Sequence, residues 1–156
     1  MTARAAAAIA LVLATPAAAR TSLGTYDGWG AFRDPAPPRC YAIAEPIRSA
    51  GGRFRPFLSI ATWPQAGAKG QVHVRLSRPA PAGAAVSLVV NDRRFPLTGS
   101  GPDAWAPNAA FDAGIVANLR SARTLTVEVR GAFTETYVLK GAATAIDAAA
   151  LGCARR

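Results

Sequence analysis

Histidine, cysteine and acidic side chains are scarce in this chain of 156 residues: one His, two Cys and nine Asp plus Glu. That scarcity alone removes most site chemistry. Zinc sites are built from about four His, Cys or carboxylate ligands, and His73 has no cysteine or carboxylate at ligand spacing. A serine triad would have to use His73, yet no G-x-S-x-G motif accompanies it, and Ser100 within Gly99-Ser100-Gly101 reads as a flexible loop. Neither common phosphate-binding glycine motif occurs. Asp103, Asp112, Glu128 and Glu135 fall on separate loop, cap and strand positions, so no carboxylate pair for acid–base hydrolysis stands out. Past residue 14, charges and prolines interrupt every apolar run, and none approaches the roughly 20 residues of a membrane-spanning helix. The sequence thus predicts no catalytic residue, no cofactor, no metal and no transmembrane helix.

What is present begins with an export signal. Met1-Thr2-Ala3-Arg4 carries one positive charge, and residues 5–14 (AAAAIALVLA) have no polar side chain. Pro16 then breaks the helix, and Ala17 and Ala19 supply the small residues of an A-x-A cleavage site. Residues 1–19 are therefore expected to be a secretory signal peptide. No cysteine follows directly, which argues against a lipoprotein. Residues 20–156 are expected to form a single domain, periplasmic or secreted and long enough to bury a core.

The charge is strongly one-sided. Lys plus Arg number 18 against nine acids, a formal net charge of +9, and 16 of the 18 are arginine. Without Arg4 of the leader the charge is +8. Genome composition explains such a bias, as the many alanines suggest; the functional alternative is an acidic partner such as lipopolysaccharide, anionic lipid or acidic glycan. Export argues against nucleic acid. Apart from the pairs Arg93-Arg94 and Arg155-Arg156, the arginines are scattered, as on solvated faces.

The two cysteines, Cys40 and Cys153, stand 113 residues apart with no C-x-x-C. In an oxidising compartment an isolated pair is expected to be a disulfide rather than a redox centre. Free thiols or a bond between two molecules are the alternatives. Gly152 is expected to let the chain turn into such a bridge.

Short strands and turns make up most of the remainder. Strands are expected at 29–32, 40–44, 54–63, 71–77, 86–90, 95–97, 124–130 and 134–140. In 71–77, Val72, Val74 and Leu76 face one way and Gln71, His73, Arg75 and Ser77 the other, the pattern of a half-wet strand. Asn91-Asp92 and Gly131-Ala132 mark two hairpins. Helical spacing appears at 112–120, with Asp112 as N-cap, and at 142–151. The fold class expected is mainly β: one antiparallel, immunoglobulin-like β-sandwich with two short helices. Its core draws on Val72, Val74, Leu76, Val86, Leu88, Val90, Leu125, Val127 and Val129, joined by Trp29 and Trp63. Trp105 is placed in a loop at 99–110, where an indole either contacts a sugar or protein or folds the loop down over the sheet.

Several of these segments together resemble a known family. Trp29-Gly30-Ala31-Phe32, Arg39-Cys40-Tyr41-Ala42-Ile43-Ala44, Phe95-Pro96-Leu97, Ile115-Val116-Ala117-Asn118-Leu119-Arg120 and Tyr137-Val138-Leu139-Lys140-Gly141-Ala142 resemble the invasion-associated locus B proteins, small exported proteins of alphaproteobacteria. The likeness covers nearly all of residues 20–156. It implies an immunoglobulin-like sandwich outside the cytoplasm and no established enzymatic activity. This chain departs from the family pattern at Phe32 and Arg33, where many members carry a cysteine, and at Ala142, where an aromatic is usual.

Three functions remain. The first is an envelope binding module that holds an anionic component or another protein through Arg75, Arg93 and Arg94, with Trp105 nearby. The second is a structural or stress-related periplasmic protein without a specific ligand. The third is a hydrolase on unrecognised carboxylates. Export itself is checked by the mass of the protein isolated from its compartment, which should correspond to a chain beginning at Arg20; retention of Met1 would overturn the localisation.

Overall fold

The computed structural model describes residues 19–154. The expected leader up to residue 18 and the arginine pair 155–156 lie outside the described residues. Ten strands and two helices follow in the order β1 (Thr21–Tyr26), β2 (Trp29–Pro35), β3 (Pro38–Ala44), β4 (Phe57–Trp63), β5 (Ala68–Arg75), β6 (Val86–Val90), β7 (Arg93–Ser100), β8 (Asp103–Trp105), α1 (Ala109–Leu119), β9 (Thr124–Val129), β10 (Phe133–Val138) and α2 (Ala142–Ala154). The fold is mainly β with two helices, and every strand pairing is antiparallel.

The strands form one continuous run, β1-β2-β3-β4-β5-β8-β7-β6-β9-β10. β7 belongs to two arms at once. Its first half pairs with β6, from Arg93 opposite Val90 to Leu97 opposite Val86, and its second half pairs with β8, Thr98 opposite Trp105. The sheet curls so far that strands near its opposite ends meet. Trp29 on β2 donates its indole N–H to the Val138 carbonyl of β10 at 3.0 Å. Between β3 and β4, Arg48 bridges to Thr136 of β10. The layers expected of a sandwich are thus two arms of one sheet, bent at β7 and facing each other across a shared core.

Alternation fills that core. Val72, Val74 and Leu76 from one arm meet Leu88, Val90, Leu125, Val127 and Val129 from the other, all buried. Trp29 is buried among them. Two expected members sit further out: Val86 and Trp63 are only half-buried. Ser77, expected on the wet face, is buried; the chain leaves the strand after Arg75, so the alternation no longer governs it. Its N–H donates to the fully buried Glu135 carboxylate at 2.8 Å, which ties β10 to the end of β5 and meets part of the large cost of burying that acid.

The helices start and stop where local chemistry allows. Asn108, not Asp112, caps α1: its side-chain oxygen accepts from the Ala110 and Phe111 N–H groups. Asp112 lies one turn inside, buried, and accepts the Val72 N–H at 2.8 Å, fixing α1 against β5. α2 lies across β1 to β4 through Ala142, Ala145 and Ala149, all buried. Methyl side chains permit that close approach. Gly152 does not turn the chain, as the helix runs on to Ala154; its Cα instead packs so near Leu23 that an added Cβ would lie 2.5 Å from Cδ1. Gly141, with φ of 86°, passes equally close to the β1–β2 turn, where a Cβ would lie 2.1 Å from the Tyr26 oxygen.

Cys40 on β3 and Cys153 on α2 form a disulfide, with 5.7 Å between Cα atoms. Closing a loop of 113 residues is worth about 4–5 kcal/mol in the chain-entropy view, with measured bonds often giving less. Replacing Cys153 by Ser should therefore lower the unfolding free energy by about 2–5 kcal/mol in denaturant titration. Leu88→Ala, at a fully buried position, should cost about 2–5 kcal/mol. A loss under about 0.5 kcal/mol, the size of an ordinary surface change, would show that Leu88 is not in the core.

Candidate functional site

Trp105 is not in a loop. It ends β8, which is recruited between β5 and β7 by pairing His73 with Trp105 and Arg75 with Asp103. Because alternate residues share a face, His73, Arg75, Trp105 and Asp103 meet on the outer surface of the sheet. The His73 and Trp105 rings stack, 4.7 Å between centroids and 5° between planes. Phe57 meets the other side of the imidazole edge-on at 5.1 Å. Asp103 holds the cluster: it takes two hydrogen bonds from Arg75, at 2.9 and 3.0 Å, and lies 2.7 Å from His73 Nε2. The carboxylate that sequence spacing could not supply to His73 comes from a neighbouring strand.

The two influences on His73 oppose each other. Burial between the indole and Phe57 disfavours the imidazolium, whereas Asp103 favours it; burial is the larger, and the pKa lies below its ordinary value. The Arg75 and His73 hydrogen bonds hold the Asp103 carboxyl below the usual range against the opposing effect of its burial. His73 is therefore neutral at pH 7 with Nε2 directed at Asp103. Ser59 stands directly across from His73 in the ladder, but it is buried in the face and the imidazole already spends Nε2 on Asp103.

A second cluster continues the same face. Asp34 accepts from Arg20 at 2.8 Å and from Arg39 at 2.9 Å. The Arg39 guanidinium lies 4.6 Å over Tyr41 and 5.2 Å over Trp63, whose indole N–H donates to Gln71 at 3.0 Å. Trp63 thus serves as an outer platform for an arginine. The structure does not bring Arg93 and Arg94 to this face. They open β7, at the far end from the Thr98–Trp105 pairing; Arg94 is held by Glu128 and Arg93 lies over Phe95. Of the four expected contact residues, only Arg75 and Trp105 meet, and Asp103 already neutralises Arg75.

Part of the excess charge lies elsewhere, at the edge where the sheet closes. Arg48, Arg53, Arg78 and Arg130 are exposed there, and none has an acidic partner among the described residues. Backbone bonds draw them together from distant parts of the chain. Arg48 pairs with Thr136, and the Phe54 N–H bonds to the Ser77 carbonyl beside Arg78. Arg130 turns the β9–β10 hairpin next to Phe133. Two guanidiniums are braced on aromatic rings, Arg78 4.6 Å over Phe133 and Arg53 4.8 Å over Phe54. Arg55 nearby is paired with Glu45. Ile47, beside Arg48, is 62% exposed. Nothing in the spacing of these arginines marks them as neighbours; only the backbone pairings do.

The chain matches no family model, no curated protein and no solved structure. Among the described residues, no helix is long and apolar enough to cross a membrane.

The sign of the His73 shift makes a pH prediction. A neutral imidazole is favoured in the folded chain, so its contribution is complete above about pH 6.5 and is lost as the pH falls below that value. As the only histidine, His73 gives one imidazole signal in NMR titration. Trp105→Ala should uncover the ring and raise its pKa; an unchanged midpoint would show that the indole is not what lowers it.

Proposed function

We propose that this chain is an exported binding protein of the bacterial envelope, without catalytic activity, that docks on phosphate-bearing lipid such as lipopolysaccharide or anionic phospholipid. The observation that carries this reading is the arginine edge: Arg48, Arg53, Arg78 and Arg130 without described acidic partners, beside an exposed isoleucine. Planar guanidiniums suit phosphate oxygens, because each offers a fork of donors and keeps its charge at every physiological pH. Bracing on Phe54 and Phe133 limits the side-chain freedom that docking would remove. Ile47 adds an apolar contact of the kind that enters the headgroup boundary. The disulfide supports the extracytoplasmic setting, since such bonds persist in oxidising compartments. The segments that resemble the invasion-associated locus B proteins support the same setting. The outer face with Trp105 is the lesser surface in this reading, because its arginines are already engaged by Asp34 and Asp103.

Vesicle sedimentation tests the proposal. The protein should bind anionic but not zwitterionic vesicles. Binding should fall steeply as salt is raised from about 0.01 to about 1 M, over which the screening length shrinks from about 30 to about 3 Å. Each arginine near an anionic surface contributes about 1 kcal/mol, so Arg53→Ala with Arg78→Ala should weaken binding by about tenfold or more. Arg94→Ala, which removes a charge already paired, should change it by less than about twofold. No binding to anionic vesicles at low salt, or equal loss in all these variants, would end the proposal.

A further inference from the structure

A second feature lies away from the arginine edge. The two helices are linked by the Arg120–Asp147 pair, and between them a cleft of about 800 Å³ opens onto β4 and β5. Its floor is Ile60, Thr62 and Ala68; Val116 and Ala117 of α1 form one wall, and Ile146, Ala149 and Ala150 of α2 the other. Cys153 closes one end of the α2 wall. Small-molecule sites typically occupy about 300–1,000 Å³, with mainly apolar walls and a few placed polar groups. Here both walls are anchored: α1 by the Asp112 bond to Val72, α2 by the disulfide to β3. The cleft therefore exists before any occupant arrives.

Charge at the rim selects the occupant. Asp147 is held by Arg120 at 2.6 Å, and Asp112 is buried beneath α1. The acids of both helices are thus spent. Lys69, exposed on the rim, has no acidic partner among the described residues. The occupant must be apolar along its length and anionic at one end. Shape narrows the choice further. The Arg120–Asp147 pair spans the two walls, and a docked helix about 10 Å across would have to break it. A peptide strand would find no open edge, since β4 and β5 are both paired on either side. A thin flexible chain meets neither obstacle.

We propose that the cleft between α1 and α2 binds a free long-chain fatty acid, its acyl chain along Ile60, Val116 and Ala149 and its carboxylate at Lys69. This site is separate from the arginine edge and does not depend on it.

Trp63 lines the cleft, which provides a local reporter. A brominated C16 fatty acid added to the oxidised protein should quench Trp63 fluorescence saturably, and Trp63→Phe should remove that part of the signal. Lys69→Ala should weaken the acid by about tenfold, the size of one lost charge-assisted hydrogen bond, and leave the C16 alcohol unchanged. Ala117→Phe, at an exposed helix position, should block both ligands while the melting temperature holds; Ala150→Phe on the opposite wall is the second filling variant. Arg53→Ala with Arg78→Ala should leave the quench intact, so failure here is distinct from failure of vesicle binding. Any of four results overturns the proposal: no saturable quench, a quench equal in the filling variants, a quench by brominated diacyl vesicles but not the free acid, or a dimer that Ala117→Phe converts to monomer with no acid bound.

Discussion

The bond between Cys40 and Cys153 joins an early strand to the last helix, and much of the architecture hangs from it. α2 has few large side chains with which to hold itself to the sheet; its buried face is Ala142, Ala145, Ile146 and Ala149. Burying methyl groups yields little free energy, on the order of 0.8 kcal/mol per carbon. Close packing over β1 to β4 is available to such a helix, but strong packing is not. The covalent link supplies what the alanines lack, and Trp29 with Val138 and Gly141 with Tyr26 complete the seam. Everything that depends on the position of α2, including the cleft beside it, inherits that constraint.

The strands that alternate were legible in the sequence because their two faces meet different surroundings. Val72, Val74, Leu125, Val127 and Val129 face the core along regular ladders, and the left-handed Asn91 and Asp92 mark the hairpin between β6 and β7. β1 was invisible for the opposite reason. As an edge strand covered mainly by a helix, it has no alternating burial to print into TSLGTY. β8 has three residues and is a strand only because β5 and β7 flank it. The Asp112 error has the same root: a carboxylate near a helix start reads as a cap, and only the docking of α1 on β5 turns it inward to Val72. Candidate contacts suffered likewise. Arg93 and Arg94 are adjacent in sequence yet neutralised or remote, whereas Arg48, Arg53, Arg78 and Arg130 become neighbours through pairings that join distant segments.

Charge on this molecule is therefore sorted by partner more than by position. Asp34 and Asp103 each accept from arginines laid against aromatic rings, which makes the outer face rich in guanidinium yet nearly neutral. Among the described residues, the basic side chains without an acidic partner are Arg48, Arg53, Arg78 and Arg130 at the closing edge, and Arg33, Arg93, Arg123 and Lys69 elsewhere. A formal net charge of +9 says only that such a surplus exists somewhere; the salt-bridge pattern assigns it to particular surfaces.

The shared strand β7 has a consequence for the order in which the chain can fold. β1 to β5 form a meander in which each strand pairs with its sequence neighbour, so these ladders close locally, the longest connection being residues 45–56. Their inner face, however, has nothing to pack against until β6, β9 and β10 exist, and the seam from Trp29 to Val138 spans 109 residues. Contacts of such long reach slow folding. During synthesis, the first half of the chain is thus a hairpin stack with a bare apolar side until β9, β10 and α2 have followed it. A chain built this way hides the apolar side of its first half only once α2 has been made and laid over β1 to β4.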